Sequence, residues 1–142
     1  KKERKAILEE LKNETRTIIL YEAPHHLVGT LQELYQALGN RRMTLCRELT
    51  KKHETAFRTT IEDLIAFYKD QKPLGECVLV IEGRSRKEME QESQESWKDI
   101  SIEEHMAIYE NQGIARKEAM KMVAKDRGVT KRDIYQALLL QK

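Results

Sequence analysis

The sequence predicts an α/β fold, with a mixed sheet and flanking helices, followed by a small helical tail. Short runs of apolar and β-branched residues, typical of buried strands, alternate with segments whose leucines repeat at helical spacing. The order strand, helix, strand, strand, helix, strand indicates a layered α/β domain. The predicted strands are residues 17–21, 43–47, 55–59 and 77–81.

The individual runs carry more specific predictions. Residues 17–21 are apolar without alternation, so we expect a strand that is covered on both faces. Residues 55–59 are β-branched and aromatic but less apolar, which is typical of an edge strand. The helix after the first strand should begin at Pro24 and end at Gly39, because these residues suit a first helical turn and a left-handed terminator.

The chain divides into four predicted segments. Residues 1–14 form a helix or linker from a missing domain, and residues 15–83 form the α/β domain. Residues 84–98 are highly polar and lack an apolar period, so we expect a flexible linker. Residues 99–142 read as three short helices with a helix-turn-helix character. Because the chain starts inside a helical pattern without Met, we interpret it as a fragment.

Composition limits the possible functions. With 35% charged residues but a net charge of only +2, any nucleic-acid affinity must come from local clusters. Cys46 and Cys77 stand far apart within apolar runs, so we expect buried, reduced thiols, a cytoplasmic protein and no metal site. No apolar run is long enough to predict a membrane span.

The helical tail has a local basic excess. Residues 114–142 contain eight basic and three acidic residues, for a net charge of +5. Lys121, Lys125 and Arg132 are therefore candidates for contacts with RNA phosphates, which need charge but no base recognition. The alternative is an ordinary solvated helix surface.

Three polar clusters each lie where an apolar strand meets a turn, namely residues 21–26, 47–54 and 75–76. Ligands of open α/β sheets gather beyond the carboxyl ends of strands, and the first two clusters occupy that position. Each cluster also has a simpler interpretation. In that interpretation, Glu22 only favours a helix N-terminus, the two histidines are exposed, and residues 47–54 form a solvated loop.

These clusters carry a resemblance to a known family. Residues 19–25 (ILYEAPH), 47–51 (RELTK), Glu54 and 75–83 (GECVLVIEG) resemble, in strings and spacing, the family of ribosomal RNA small-subunit methyltransferase I. That family is part of the tetrapyrrole methylase superfamily. The resemblance covers residues 5–83 well and the three-helix tail more weakly.

The resemblance implies a two-domain, S-adenosylmethionine-dependent enzyme with the cofactor between its domains. It implies methyl transfer to the 2′-hydroxyl of a cytidine in the 16S rRNA of the small ribosomal subunit, and a homodimer. By this resemblance Tyr21, Glu22, Arg47, Glu48 and Thr50 are the expected cofactor-binding residues. Lys51 and Glu54 are the catalytic candidates, because a sugar hydroxyl needs a base or a cation beside its oxygen.

His25 and His26 are the expected RNA contacts of the first cluster. The family commonly has Arg at the position of His26, so contact with phosphate there would be weaker or dependent on pH. Two other functions stay open: a methylase of small tetrapyrroles, and a non-catalytic nucleic-acid-binding module. The fragment alone is expected to be inactive, because half of the cofactor cleft is missing.

Overall fold

The computed structural model describes residues 2–140. The chain forms two compact units that divide between Ser85 and Arg86. Within the described residues, no helix combines the length and the apolar character that crossing a membrane would require. The predicted α/β domain and the predicted helical tail are both present, so the fold class is confirmed.

The first unit contains a four-stranded sheet and three α-helices. A single 3₁₀ turn, Pro24–His26, precedes the second helix, which ends at Gly39. The elements in chain order are α1 (Lys2–Leu11), β1 (Ile18–Glu22), α2 (Leu27–Leu38), β2 (Arg42–Arg47), β3 (Thr55–Thr60), α3 (Ile61–Phe67) and β4 (Cys77–Ile81).

The sheet has the strand order β1-β4-β2-β3. All three neighbouring pairs are antiparallel, so the sheet is not mixed in strand direction as the sequence predicted. The reason is that β4 enters between β1 and β2 and runs opposite to both. The strand β3 lies at an edge, as its less apolar residues indicated.

The hydrophobic core of this unit lies on one face of the sheet, beneath α2 and α3. The buried leucines of α2 pack against alternate residues of the central strands. The core consists of Ile18, Leu27, Leu31, Leu34, Leu38, Met43, Leu45, Ile61, Leu64, Tyr68, Cys77, Leu79 and Ile81.

The strand β1 does not have two covered faces. Ile18 is buried, but Ile19 is 59% exposed and Tyr21 is 85% exposed on the opposite side. Side chains alternate along a strand, and the helices of this unit cover only the face to which Ile18 points. A continuous apolar run was therefore a misleading signal, because a strand can expose apolar side chains on the face of the sheet that no helix covers.

Up to Leu140, the second unit contains four helices, α4 (Arg86–Ser96), α5 (Ile102–Glu110), α6 (Arg116–Arg127) and α7 (Lys131–Leu140). The segment expected to be a flexible linker is thus largely the helix α4. This helix has no buried residue, which explains why it shows no apolar period. It is held instead by contacts with α6, where Gln94 lies beside Gly128.

Side-chain caps begin two of the tail helices, and apolar side chains join α5, α6 and α7. Ser101 and Glu104 form a reciprocal capping box at the start of α5. Thr130 accepts a hydrogen bond from the backbone N–H of Asp133 at the start of α7. The buried residues that hold α5, α6 and α7 together are Met106, Ala119, Val123, Ala124, Ile134 and Leu138.

A buried histidine ties these helices together. His105 is fully buried, and its ring stacks on Trp97 with the ring centroids 3.9 Å apart. Arg127 Nε donates to His105 Nδ1 at 3.1 Å, and a guanidinium can only donate. The proton of the neutral ring is therefore on Nε2, which donates to Asp126 Oδ2 at 3.1 Å.

This arrangement favours the neutral ring. Burial lowers the pKa of His105, the Asp126 carboxylate partly opposes this effect, and the Arg127 charge adds to it. A protonated Nδ1 would face the Arg127 N–H, so protonation and the Arg127 hydrogen bond exclude each other. His105 therefore stabilises the second unit in its uncharged form.

We predict that the second unit loses stability as the pH falls below about 6.5, the ordinary pKa of histidine. The unfolded chain binds a proton there that the folded unit resists, with a slope of at most about 1.4 kcal/mol per pH unit. Trp97 is the single tryptophan, so its fluorescence reports this unfolding. The exposed-histidine control His53→Gln should keep the dependence, and His105→Gln should lose it. Equal Trp97-detected stability at pH 7.5 and pH 5.5 would contradict the prediction.

Candidate active-site edge and basic surface

The antiparallel pairing brings the three polar clusters to one edge of the sheet. Because β1 and β2 both run opposite to β4, their carboxyl ends lie on either side of the start of β4. The register aligns Glu22 with Cys77, and Cys77 with Arg47. Glu22 and Arg47 are thus about 10 Å apart, which is two strand spacings. We call residues 21–26, 47–54 and 75–76 the polar edge.

Glu22 is held inside the protein. Its Oε1 accepts the backbone N–H of Ala23 at 2.8 Å, and its Oε2 accepts the hydroxyl of Thr30 at 2.5 Å. Arg4 Nη2 donates to the oxygen of Thr30 at 2.6 Å and lies 3.8 Å from Glu22. Burial raises the pKa of Glu22, but these bonds and the Arg4 charge outweigh burial, and the net direction is downward. Glu22 is thus an ionised residue that joins α1, β1 and α2.

The aromatic residues of the first cluster are open to solvent. Tyr21 follows the alternation of β1 and points away from the helices, with 85% of its surface exposed. His25 and His26 are also exposed, and their rings lie 4.1 Å apart on the 3₁₀ turn. These three side chains are therefore accessible to a ligand, whereas Glu22 is already bonded.

Arg47 fixes the end of β2. Its Nε donates to the carbonyl of Leu74 at 2.8 Å, which joins the end of β2 to the turn before β4. Burial raises the pKa of Tyr68, and the nearby Arg47 charge opposes that shift. Burial likewise raises the pKa of Cys77, again against the charge of Arg47. Cys77 is thus a buried thiol that stays protonated, and Cys46 is partly buried.

The loop after β2 has a strained backbone. Glu48 and Thr50 adopt positive φ angles of 52° and 64°, which are uncommon for residues with a side chain. Such angles persist only where surrounding contacts hold them, and they concentrate at functional sites. Here Glu48 Oε1 accepts the backbone N–H of Glu76 at 2.6 Å, and Glu54 Oε2 accepts the backbone N–H of Thr50 at 2.6 Å.

Lys51 lies between two carboxylates. Its Nζ is 3.0 Å from Glu76 Oε2 and 3.4 Å from Glu48 Oε2. The hydrogen bond to Glu76 and the two negative charges raise the pKa of Lys51 despite partial desolvation. Lys51 is therefore a cation at neutral pH, suited to stabilising negative charge but not to accepting a proton.

Some residues that shape this edge were not identified from the sequence. These residues are Thr30 and Arg4, which hold Glu22. Thr30 had a detectable signal, because it is a polar residue on the buried leucine face of α2. Arg4 had none, since its partner is 18 residues away in sequence on another element.

The basic residues predicted on the tail lie on exposed helix surfaces. Lys121 and Lys125 are one turn apart on α6, and Lys117 precedes them by another turn on the same side. Lys121 is paired with Glu118 at 2.9 Å. Arg132 is exposed near the start of α7. Lys142, which contributes to the charge of the tail, lies outside the described residues.

The first unit is an α/β domain with an open polar edge suited to ligand binding. Comparison with known proteins indicates the class of protein to which the chain is similar. No family model matches the chain. Ribosomal RNA small subunit methyltransferase I of Bacillus subtilis is 43% identical over 137 residues, covering 96% of the chain and 47% of that protein. The protein of the same name from Halalkalibacterium halodurans is 42% identical over 135 residues, covering 95% of the chain and 46% of that protein.

A third protein of this name, from a Synechocystis species, is 39% identical over 137 residues, covering 96% of the chain and 47% of that protein. The chain is therefore a homologue, over nearly its whole length, of part of ribosomal RNA small subunit methyltransferase I. This confirms the resemblance that the polar clusters carry. The chain spans about half the length of the curated relatives it matches.

We predict that Gly75→Ala opens the polar edge. A Cβ at Gly75, whose φ is 79°, would lie 2.2 Å from Glu48 Oε1, so the carboxylate would leave the Glu76 N–H. Hydrogen exchange of the Glu76 amide should then accelerate by about tenfold or more, because the amide loses its acceptor. Gly39→Ala is the matched control, since Gly39 also has a positive φ but a Cβ there meets open space. Equal Glu76 protection in both variants would contradict this account of the edge.

Proposed function

We propose that this chain is one part of an S-adenosylmethionine-dependent methyltransferase that methylates the 2′-hydroxyl of a cytidine in the 16S rRNA of the small ribosomal subunit. The observation that carries the proposal is the convergence of three polar clusters at one strained sheet edge. It occurs in a chain 43% identical to a protein whose name states action on small-subunit ribosomal RNA. Because those relatives are about twice as long, we propose that the chain alone is inactive.

The polar edge fits one wall of a cofactor site. Tyr21 offers an exposed ring for contact with an adenosyl group, and Thr50 lies in the strained loop after β2. Arg47, Glu22 and Glu48 are bonded within the protein, so their proposed role is to fix the shape of this wall. When bound, S-adenosylmethionine supplies an electrophilic methyl group. The opposite wall would come from residues outside this chain.

The proposed chemistry at the substrate hydroxyl follows from the charge states at the edge. A sugar hydroxyl becomes a good nucleophile as its proton leaves, and a nearby cation stabilises the developing negative charge. Lys51 is held as a cation by Glu48 and Glu76, so we assign it that role. Glu54 is the proposed proton acceptor, and this role requires its carboxylate to exchange the Thr50 N–H for the substrate hydroxyl.

We assign RNA contacts to two surfaces, each within its own unit. The exposed His25 and His26 are placed to contact RNA beside the polar edge. The exposed cations Lys121, Lys125 and Arg132 are suited to phosphate contacts, which position RNA without reading its sequence. The exposed Ile19 of β1 also leaves apolar surface for the homodimer that the superfamily resemblance implies.

The two alternative functions differ from this proposal in substrate. A methylase of small tetrapyrroles would share the polar edge, and a non-catalytic nucleic-acid-binding module would need only the tail. The names of the relatives favour ribosomal RNA over either alternative. Whether a methylated product forms, and which molecule carries the methyl group, distinguishes the three functions.

We expect a protein of the relatives' full length that contains this chain to transfer label from S-adenosylmethionine to small ribosomal subunits lacking the modification. Mass analysis should identify the product as 2′-O-methylcytidine, and the 142-residue chain alone should give none. Lys51→Gln should lower the rate by about a hundredfold, because a positioned catalytic group contributes on that order. The adjacent exposed lysine gives the matched control, Lys52→Gln, which should keep nearly full activity.

Three results would contradict the proposal. Unlabelled RNA from a protein that binds the cofactor would favour a small-molecule methylase. Equal rates for the two lysine variants would remove the catalytic role from Lys51. Label on a base, instead of the ribose, would exclude the 2′-hydroxyl as the acceptor.

A further inference from the structure

The helices α6 and α7 form a compact pair with one buried and one open side. Gly128 ends α6 in the left-handed conformation, with φ 66°, and α7 begins three residues later. Ile134 and Leu138 are buried, so their side of α7 packs in the core of the second unit. The other side of α7 is therefore directed outward, and Tyr135 stands on it with 53% of its surface exposed.

An open groove runs between the outward sides of these two helices. Three of its five lining residues are cations, and the other two are a tyrosine and a methionine. We call this feature the basic groove, and it is lined by Lys117, Met120, Lys131, Arg132 and Tyr135.

The cations of the basic groove are available for a ligand. Within residues 2–140, no carboxylate lies within ion-pair distance of Lys117, Lys131 or Arg132. The nearby Glu118 is instead paired with Lys121 at 2.9 Å. The other neighbouring acid, Asp133, accepts hydrogen bonds from both the hydroxyl and the backbone N–H of Thr130. Glu118 and Asp133 interact with these cations only at longer range, so an anionic partner would add direct contacts that the described residues do not supply.

The aromatic residue of the groove narrows the choice of anion. Tyr135 lies three and four residues after Arg132 and Lys131, so the ring is on the same side of α7 as both cations. Sites for single-stranded nucleic acid combine cations along the phosphate chain with exposed aromatic rings on which bases stack. Bases within a duplex are already stacked and cannot lie flat on such a ring.

We propose that the basic groove is a binding subsite for single-stranded RNA, in which Tyr135 stacks on an unpaired base. Lys117, Lys131 and Arg132 hold the adjacent phosphates, and Met120 lines the groove between them. The inference rests on the proposed function, because it gives the tail a defined segment of the ribosomal RNA substrate: an unpaired one. It also assigns RNA contacts to Lys117, Lys131 and Tyr135, which the charge pattern alone did not select.

The test measures binding of the 142-residue chain to a fluorescent, unstructured 12-nucleotide RNA by anisotropy, with the same strand in a duplex for comparison. Tyr135→Ala should weaken binding to the single strand by about tenfold, within the range found for loss of one stacked base. Tyr135→Phe should bind within about twofold of the native chain, since stacking requires the ring and not the hydroxyl. Tyr35→Ala, which removes a partly exposed tyrosine of the first unit, is the matched control and should change nothing.

The salt dependence of RNA affinity measures the contribution of the cations separately. Each phosphate contact to a single strand contributes about 0.7 to the slope of log affinity against log salt. Lys117→Gln combined with Arg132→Gln should therefore flatten that slope by about 1.4, whereas Tyr135→Ala should leave it unchanged. Unchanged circular dichroism and Trp97 fluorescence would show that each variant is folded.

Two results would overturn the inference. The first is single-strand affinity that Tyr135→Ala leaves unchanged. The second is tighter binding to the duplex than to the single strand, with Tyr135→Ala weakening the affinity for both RNAs equally. These results differ from a failure of the proposed function. If the longer protein methylates ribosomal RNA equally well with Tyr135→Ala, the groove assignment fails while the function stands. If Tyr135 governs RNA binding but no methyl transfer occurs, the groove assignment stands and the function fails.

Discussion

The antiparallel insertion of β4 between β1 and β2 is the constraint on which the first unit depends. It makes β1 and β2 parallel to each other, so their carboxyl ends meet at one edge, with the start of β4 between them. Residues that are 25 positions apart in sequence, such as Glu22 and Arg47, thereby become neighbours across Cys77. Without this order the polar clusters would lie at opposite ends of the sheet, and no shared site would exist.

Hydrogen bonds accepted by the carboxylates of Glu22 and Glu48 fix the shape of the polar edge. Glu22 is held by Thr30 and Ala23, while Glu48 is held by the backbone of Glu76. Gly75 leaves the space that the Glu48 carboxylate occupies. These contacts support the positive φ angles of the loop after β2 and keep Lys51 charged. Glu22 and Glu48 therefore fix the shape of the polar edge, and the side chains of Tyr21 and Lys51 remain exposed beside them.

Much of this could be predicted from local sequence, because the relevant signals act over a few residues. Leucines at helical spacing predicted α2, and Gly39 predicted its end. The strand directions could not be predicted in the same way, since they depend on which distant strand enters the centre of the sheet. The helix α4 also escaped prediction, because it is held by contact with α6 and buries no side chain of its own. Likewise, the Arg127 and Trp97 partners of His105 are apparent only in the folded unit.

The central claim is that the polar edge forms one wall of the cofactor site. The most direct test is amide hydrogen exchange in a protein of the relatives' full length that contains this chain, measured with and without S-adenosylmethionine. The account predicts slower exchange in residues 21–26, 47–54 and 75–76 when the cofactor is present, and unchanged exchange in the outer strand β3. Protection confined to residues outside this chain, with the polar edge unaffected, would contradict it.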